Sequence, residues 1–195
     1  GDFGRREELD WNEAKEINRG GQGIVYRVPS GSGESFAVKT RVSLEEIDRL
    51  IKLKHRNIVK FLFVTTHNDQ PAMAMEYADR NLRQHLNRSE LGNPAFIDII
   101  CGTADGLAYI HEEGLVHRDI KSENILIQIQ STGKCVAKIS DFGIAREIPT
   151  CWVRHQIIGS YQYMAPELLV PRAINGYDAE DERKRVAELE PRIDT

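Results

Sequence analysis

A chain of 195 residues, 41% hydrophobic and with a formal net charge of −4, has enough apolar content for one domain or two small lobes, which excludes wholesale disorder. The charge balance gives no reason to expect nucleic-acid binding, no apolar run reaches membrane-spanning length, and the opening GDFGRREELD does not read as a signal peptide. Three widely spaced cysteines, Cys101, Cys135 and Cys151, make no metal pair and leave an odd thiol, so a reducing compartment is expected, the cytoplasm before the nucleus.

In chain order, residues 11–39 place a glycine cluster among β-rich stretches, GIVYRV (23–28) and SFAVKT (35–40), joined by the hairpin-turn chemistry of PSGSGE (29–34). Leu44, Ile47, Leu50, Ile51 and Leu53 then recur at helical spacing, and Ser43 with Glu46 forms a capping box. NIVKFLFV (57–64) and AMAMEY (72–77) read as strands. From Pro94, the residues Phe96, Ile97, Ile100, Ala104, Leu107, Ala108 and Ile110 predict a helix to about Glu113, with Gly114 as its stop.

The next stretch, VHRDIKSENILI (116–127), fits neither period. Asp119, Lys121 and Asn124 share no helix face and no strand face, so they belong to a loop pinned by apolar ends, where polar side chains can converge on one point. NILIQI and CVAKIS predict two short strands across QSTGK, and residues 141–167 are turn-like. Beyond Pro171, DAEDERKRVAELEPRIDT is mostly charged and reads as a solvated helix or loose tail.

Five motifs stand in a fixed order: INRGGQGIVY (17–26), FAVK (36–39), HRDIKSEN (117–124), DFG (141–143) and YMAPE (163–167). By itself the first is an ordinary glycine hairpin, and Lys39 is a solvated charge at a strand edge. Together they resemble the eukaryotic protein-kinase family, and DIKSEN with GSYQYMAPE resembles its serine/threonine type. The resemblance implies an α+β, bilobal kinase-like fold over residues 11–195. It divides into a β-rich N-lobe with one helix (11–76), a hinge (77–79), a mainly helical, incomplete C-lobe (80–170) and a charged tail (171–195).

The resemblance also implies roles. ATP would lie against Ile17, Asn18, Gly20, Gly21, Gln22, Gly23, Val25, Ala37, Lys39, Glu76, Ala78 and Leu126, with Asn18 standing where the family has its first glycine. Met75 would be the gatekeeper and the backbone of Glu76 and Ala78 would read adenine. Lys39 would meet the α- and β-phosphates and pair with Glu46, which reads also as a plain helix-cap residue. Only six residues separate the two, fewer than is usual in the family. Asp119 would accept the proton of the substrate hydroxyl and Lys121 would stabilise the transferring phosphoryl. Asn124 and Asp141 would bind Mg2+. His117 reads as packing, and Arg118 as the partner of a phosphate on the following loop, where Thr150, Ser160, Tyr161 and Tyr163 are candidates.

After the APE motif, the family continues with helices carrying an aspartate for the catalytic loop and an arginine for the APE glutamate, here Glu167. GYDAEDERKRV matches neither, so a C-terminally truncated domain is expected, with one face of helix 94–113 uncovered and open to association. The opening residue is not methionine, which suits a piece of something longer. The expected activity is transfer of the γ-phosphoryl of Mg-ATP to Ser or Thr of protein substrates. The alternative is a fragment that binds nucleotide or a partner without turnover.

Overall fold

The computed structural model describes residues 9–21, 23–88, 93–147 and 160–163. Gln22, Thr150, Cys151, Glu167 and the expected tail 171–195 lie outside the described residues.

The N-terminal part is a five-stranded antiparallel sheet of β1 (Lys15–Gly20), β2 (Gly23–Pro29), β3 (Ser35–Thr40), β4 (Phe61–His67) and β5 (Gln70–Glu76), in the order β1-β2-β3-β5-β4. Side chains along a strand alternate between its two faces. Phe36, Val38, Ala72 and Ala74 therefore join an outer apolar cluster, while Ala37, Met73 and Met75 join the main core on the other face. Small and unbranched residues suit β5 because both of its faces are covered; Ala72, Met73, Ala74 and Met75 are all buried. The same alternation puts Lys39 on the inner face with Ala37.

Helix α1 (Leu44–Lys52) follows β3 almost at once. Arg41 takes a left-handed conformation (φ 58°) that turns the chain. Ser43 then caps the helix, its hydroxyl accepting from Glu46 N at 3.1 Å. Ile47 and Leu50 are buried beneath α1.

The expected strand at 57–64 is corrected: β4 begins at Phe61 and runs to His67. The reason is a competing partner. Residues 57–59 pair instead with the distant residue Ile139, where Ile139 N donates to Asn57 O at 2.8 Å and Val59 N to Ile139 O at 2.9 Å.

After β5 come β6 (Arg80–Asn81), α2 (Leu82–Arg88), α3 (Asn93–Glu112), β7 (Leu115–Val116), β8 (Ile125–Ile129), β9 (Cys135–Ile139) and β10 (Arg146–Glu147). Sheets β6-β8-β9 and β10-β7 flank the loop 117–124. Ile99 of α3 packs on Ile125, Ile127, Cys135 and Ala137. Phe96, Ile97 and Ile100 are exposed. Asn57 nests in a notch on α3 made by Gly102 and Gly106. A Cβ on Gly102 would stand 2.6 Å from Asn57 Nδ2, and one on Gly106 would stand 2.9 Å from Asn57 O.

Candidate active site

Strand β3 and helix α1 bring Lys39 and Glu46 together despite the short connection. Lys39 Nζ donates to Glu46 Oε1 at 2.6 Å and to Asp141 Oδ1 at 2.7 Å. The Lys39 and Glu46 side chains are each only 4% exposed. Burial pulls the Lys39 ammonium down, but Asp141 and then Glu46 outweigh it, and its pKa is raised. Burial pushes the Glu46 carboxyl up, and Lys39 offsets this only in part. The two directions fit one picture: a single ammonium serves two carboxylates in a nearly dry place, and Glu46 is left short of positive charge.

The loop between β7 and β8 is pinned from below by His117, which is fully buried. Its Nδ1 accepts from Asp119 N at 3.3 Å. The proton therefore sits on Nε2, which donates to Ser140 O at 2.9 Å. The ring meets Phe142 edge-on, with centroids 4.9 Å apart. Arg118 adopts φ 72°, which bends the loop between His117 and Asp119.

Above it, three donors converge on one carboxylate. Lys121 Nζ reaches Asp119 Oδ2 at 2.7 Å, Asn124 Nδ2 reaches the same oxygen at 3.0 Å, and the Ser160 hydroxyl donates to Asp119 Oδ1 at 2.8 Å. Lys121 Nζ also donates to Ser160 Oγ at 3.0 Å. Burial pushes the Asp119 carboxyl up, but these hydrogen bonds and the Lys121 charge outweigh it and hold the pKa below the usual range. Asp119 is an ionised acceptor.

The two groups are joined through the backbone. Ser140 N and Oγ both donate to Asn124 O, at 2.9 and 3.0 Å, and Asp141 is the next residue, at φ 69°. Asn124 uses its side-chain amide N–H groups on Asp119, leaving its side-chain Oδ1 for a cation. An amide oxygen and a carboxylate fit a hard cation such as Mg2+, which takes one or two protein carboxylates and fills its shell with phosphate and water oxygens.

Val25, Tyr77 and Leu126 pack against the cluster that holds Ala37 and Met75, so apolar side chains from both sides of the hinge share one core. These are the walls a flat base would need. Glu76 gives its N–H to Lys60 O at 3.0 Å, so any contact it makes with a base runs through its carbonyl. Gly23 holds φ 125°, and a Cβ there would stand 2.3 Å from Thr40 O; Gly20 and Gly21 have nothing within 4 Å of that position. Ile17 and Asn18 lie exposed on β1, beside a register shift between Glu16 and Asn18.

Three contacts escape sequence reasoning. The Glu76 carboxylate is held by Lys138 Nζ at 2.8 Å and by Lys60 N at 2.7 Å, tying the end of β5 to the strand that leads into Asp141. Arg49 of α1 donates to Phe142 O at 3.2 Å. None has a local sequence signal, because the partners are far apart in the chain.

The protein kinase domain family matches residues 11–181. The chain is 34% identical over 81% of its length to the inhibitor of nuclear factor kappa-B kinase subunit alpha of Xenopus laevis, spanning 24% of that protein. It is 34% identical over 78% of its length to the calmodulin-binding receptor-like cytoplasmic kinase 2 of Arabidopsis thaliana, spanning 42% of it. It is 32% identical over 81% of its length to the cysteine-rich receptor-like protein kinase 27 of the same plant, spanning 27% of it. The match contains all the motifs and the elements that position Lys39, Asp119, Asn124 and Asp141, and the chain belongs to the protein kinase family.

Proposed function

We propose that this chain is the catalytic domain of a serine/threonine protein kinase, transferring the γ-phosphoryl of Mg-ATP to a protein hydroxyl. The observation that carries the reading is the convergence of Lys39 and Asp141 with the Asp119–Lys121–Asn124 loop, through Ser140. Lys39 holds the α- and β-phosphates while Glu46 fixes its position. Asp119, kept ionised, orients the incoming hydroxyl and takes its proton. Lys121 places positive charge beside the transferring group. Asn124 and Asp141 hold magnesium, which supplies neutralisation of the phosphate charge. Val25, Ala37, Met75 and Leu126 enclose the base, and the backbone of Glu76 and Ala78 reads its edge.

Ser160 supports the serine/threonine assignment. Its hydroxyl bridges Asp119 and Lys121 and so fixes the spacing between base and phosphoryl stabiliser. No helix among the described residues is long and apolar enough to cross a membrane. The exposed thiol of Cys101 suits the cytoplasm. A phosphate added to Thr150, Ser160, Tyr161 or Tyr163 would offer Arg118 a partner, as the family resemblance implies.

The test is phosphate transfer from Mg-ATP to a generic protein substrate, measured beside Asp119→Asn. Signal from the wild type alone supports the enzyme. Equal signal from both ends that reading, and a nucleotide-dependent rise in melting temperature without turnover would mark a binding module.

A further inference from the structure

Helix α1 presents two side chains to the segment 141–143, Glu46 and Arg49, three residues apart on one face. Glu46 acts through Lys39 on the Asp141 side chain. Arg49 acts on the backbone, with Nη1 on Phe142 O at 3.2 Å. The same carbonyl accepts from Ala145 N at 3.2 Å, so both of its lone pairs are used and the Phe142–Gly143 peptide has one favoured orientation. The preceding residue, Asp141, sits in left-handed backbone (φ 69°), a strained state that persists only where its surroundings over-determine it.

Arg49 is half-buried at the wall of a cavity of about 300 Å³ between α1, the α3–β7 turn and β10. Burial and the nearby Arg146 work against its charge, while Glu45, Glu46 and Glu147 favour it. A guanidinium kept in such a place beside another cation is held by its specific contacts.

We propose that Arg49 is a positioning residue that locks the Phe142–Gly143 peptide and so keeps the Asp141 carboxylate turned toward Lys39. The geometry ties the inward placement of α1 to the state of Asp141 by a second, backbone route that does not pass through Lys39. Its functional consequence rests on the kinase reading of the site; the conformational claim does not.

The experiment compares the wild type, Arg49→Met and Arg49→Lys without nucleotide, by amide hydrogen exchange in peptides covering residues 140–147. The strands β8 and β9 serve as internal control. Arg49→Met should speed exchange of that segment about tenfold, the scale of one lost hydrogen bond from a charged donor, and leave β8–β9 within twofold. Arg49→Lys, which keeps the charge but loses the planar fork, should fall between. Unchanged exchange in Arg49→Met overturns the proposal, as does equal acceleration in β8–β9. Should Arg49→Met fail to fold, Arg49→Lys decides by the same contrast.

A second readout is the Mg2+ dependence of nucleotide affinity, which should weaken several-fold in Arg49→Met. Absence of Mg2+-dependent binding in the wild type would sink the kinase reading and leave the exchange result to judge Arg49. Normal binding in the wild type with an unshifted variant sinks only the link from Arg49 to the site.

Discussion

Asp119 and Glu46 are both nearly buried carboxylates bonded to a lysine, yet their proton affinities move in opposite directions. The difference lies in how many donors each receives. Asp119 takes hydrogen bonds from Lys121, Ser160 and Asn124, all from the loop it belongs to or from the segment at 160. Glu46 takes one from Lys39, an ammonium it shares with Asp141 across the cleft. Burial penalises both, and only the richer donor set overcomes it. One site is built to keep a carboxylate ionised. The other is short of positive charge, which a bound cation relieves, and its strength depends on two lobes meeting.

This contrast can be broken most severely at Asp119. Asp119→Asn should lower phosphate transfer by about 10²–10⁴-fold, the scale of general-base loss, while the urea midpoint falls only modestly as Lys121 loses its carboxylate partner. Large unfolding with unchanged transfer in the refolded fraction would assign Asp119 to structure instead. Next is Lys39→Met, which leaves Glu46 and Asp141 without their shared ammonium. Stability should fall by about 3–5 kcal/mol, measured by urea titration, and adding Glu46→Gln should restore part of it. An unaltered midpoint would mean the triad is effectively solvated.

A smaller effect separates the turn glycines. Gly23→Ala forces a methyl against Thr40 O in left-handed backbone and should cost about 1–3 kcal/mol, whereas Gly21→Ala, with open space around it, should cost less than about 1 kcal/mol. Similar losses at both positions would contradict the described turn.

The smallest effect is in the pH profile. Asp119 has its pKa lowered from 3.8, so its stabilising contribution is present above pH 3.8 and lost as pH falls through the folded value. Glu46 has its pKa raised from 4.5, so its contribution is greatest below pH 4.5 and declines as pH rises through the folded value. Relative to wild type, Asp119→Asn should flatten the acid limb below pH 3.8, and Glu46→Gln should flatten the decline above pH 4.5. Urea midpoints between pH 3 and 7 measure both, and slopes changing in the same direction would remove the contrast.

Much of this site was legible in the sequence because its parts are short and local. The loop 117–124 carries its own anchors, whereas Lys39 alone reads as a solvated charge and only the order of the motifs turns it inward. The pairing of Lys39 with Glu46 could not be settled by counting residues, since the left-handed turn at Arg41 that makes it reachable has no strong signature. Helix α2 does carry one: Asn81 and Gln84 form a reciprocal cap, with Gln84 N on Asn81 Oδ1 at 2.9 Å and Asn81 N on Gln84 Oε1 at 3.0 Å. The misplaced start of β4 has another cause. NIVKFLFV is apolar throughout, and nothing local tells Ile58 to prefer Ile139 over a neighbour in the N-terminal sheet. Lys138 and Arg49 carry no local signal, because their partners arrive from elsewhere in the chain.

The seat of Asn57 against Gly102 and Gly106 gives the two halves of the molecule a common fulcrum. Any displacement of one half against the other would then be smallest near Asn57 and largest far from it. Enlarging either glycine would lift the fulcrum itself, and the error would be magnified at the far end of the lever.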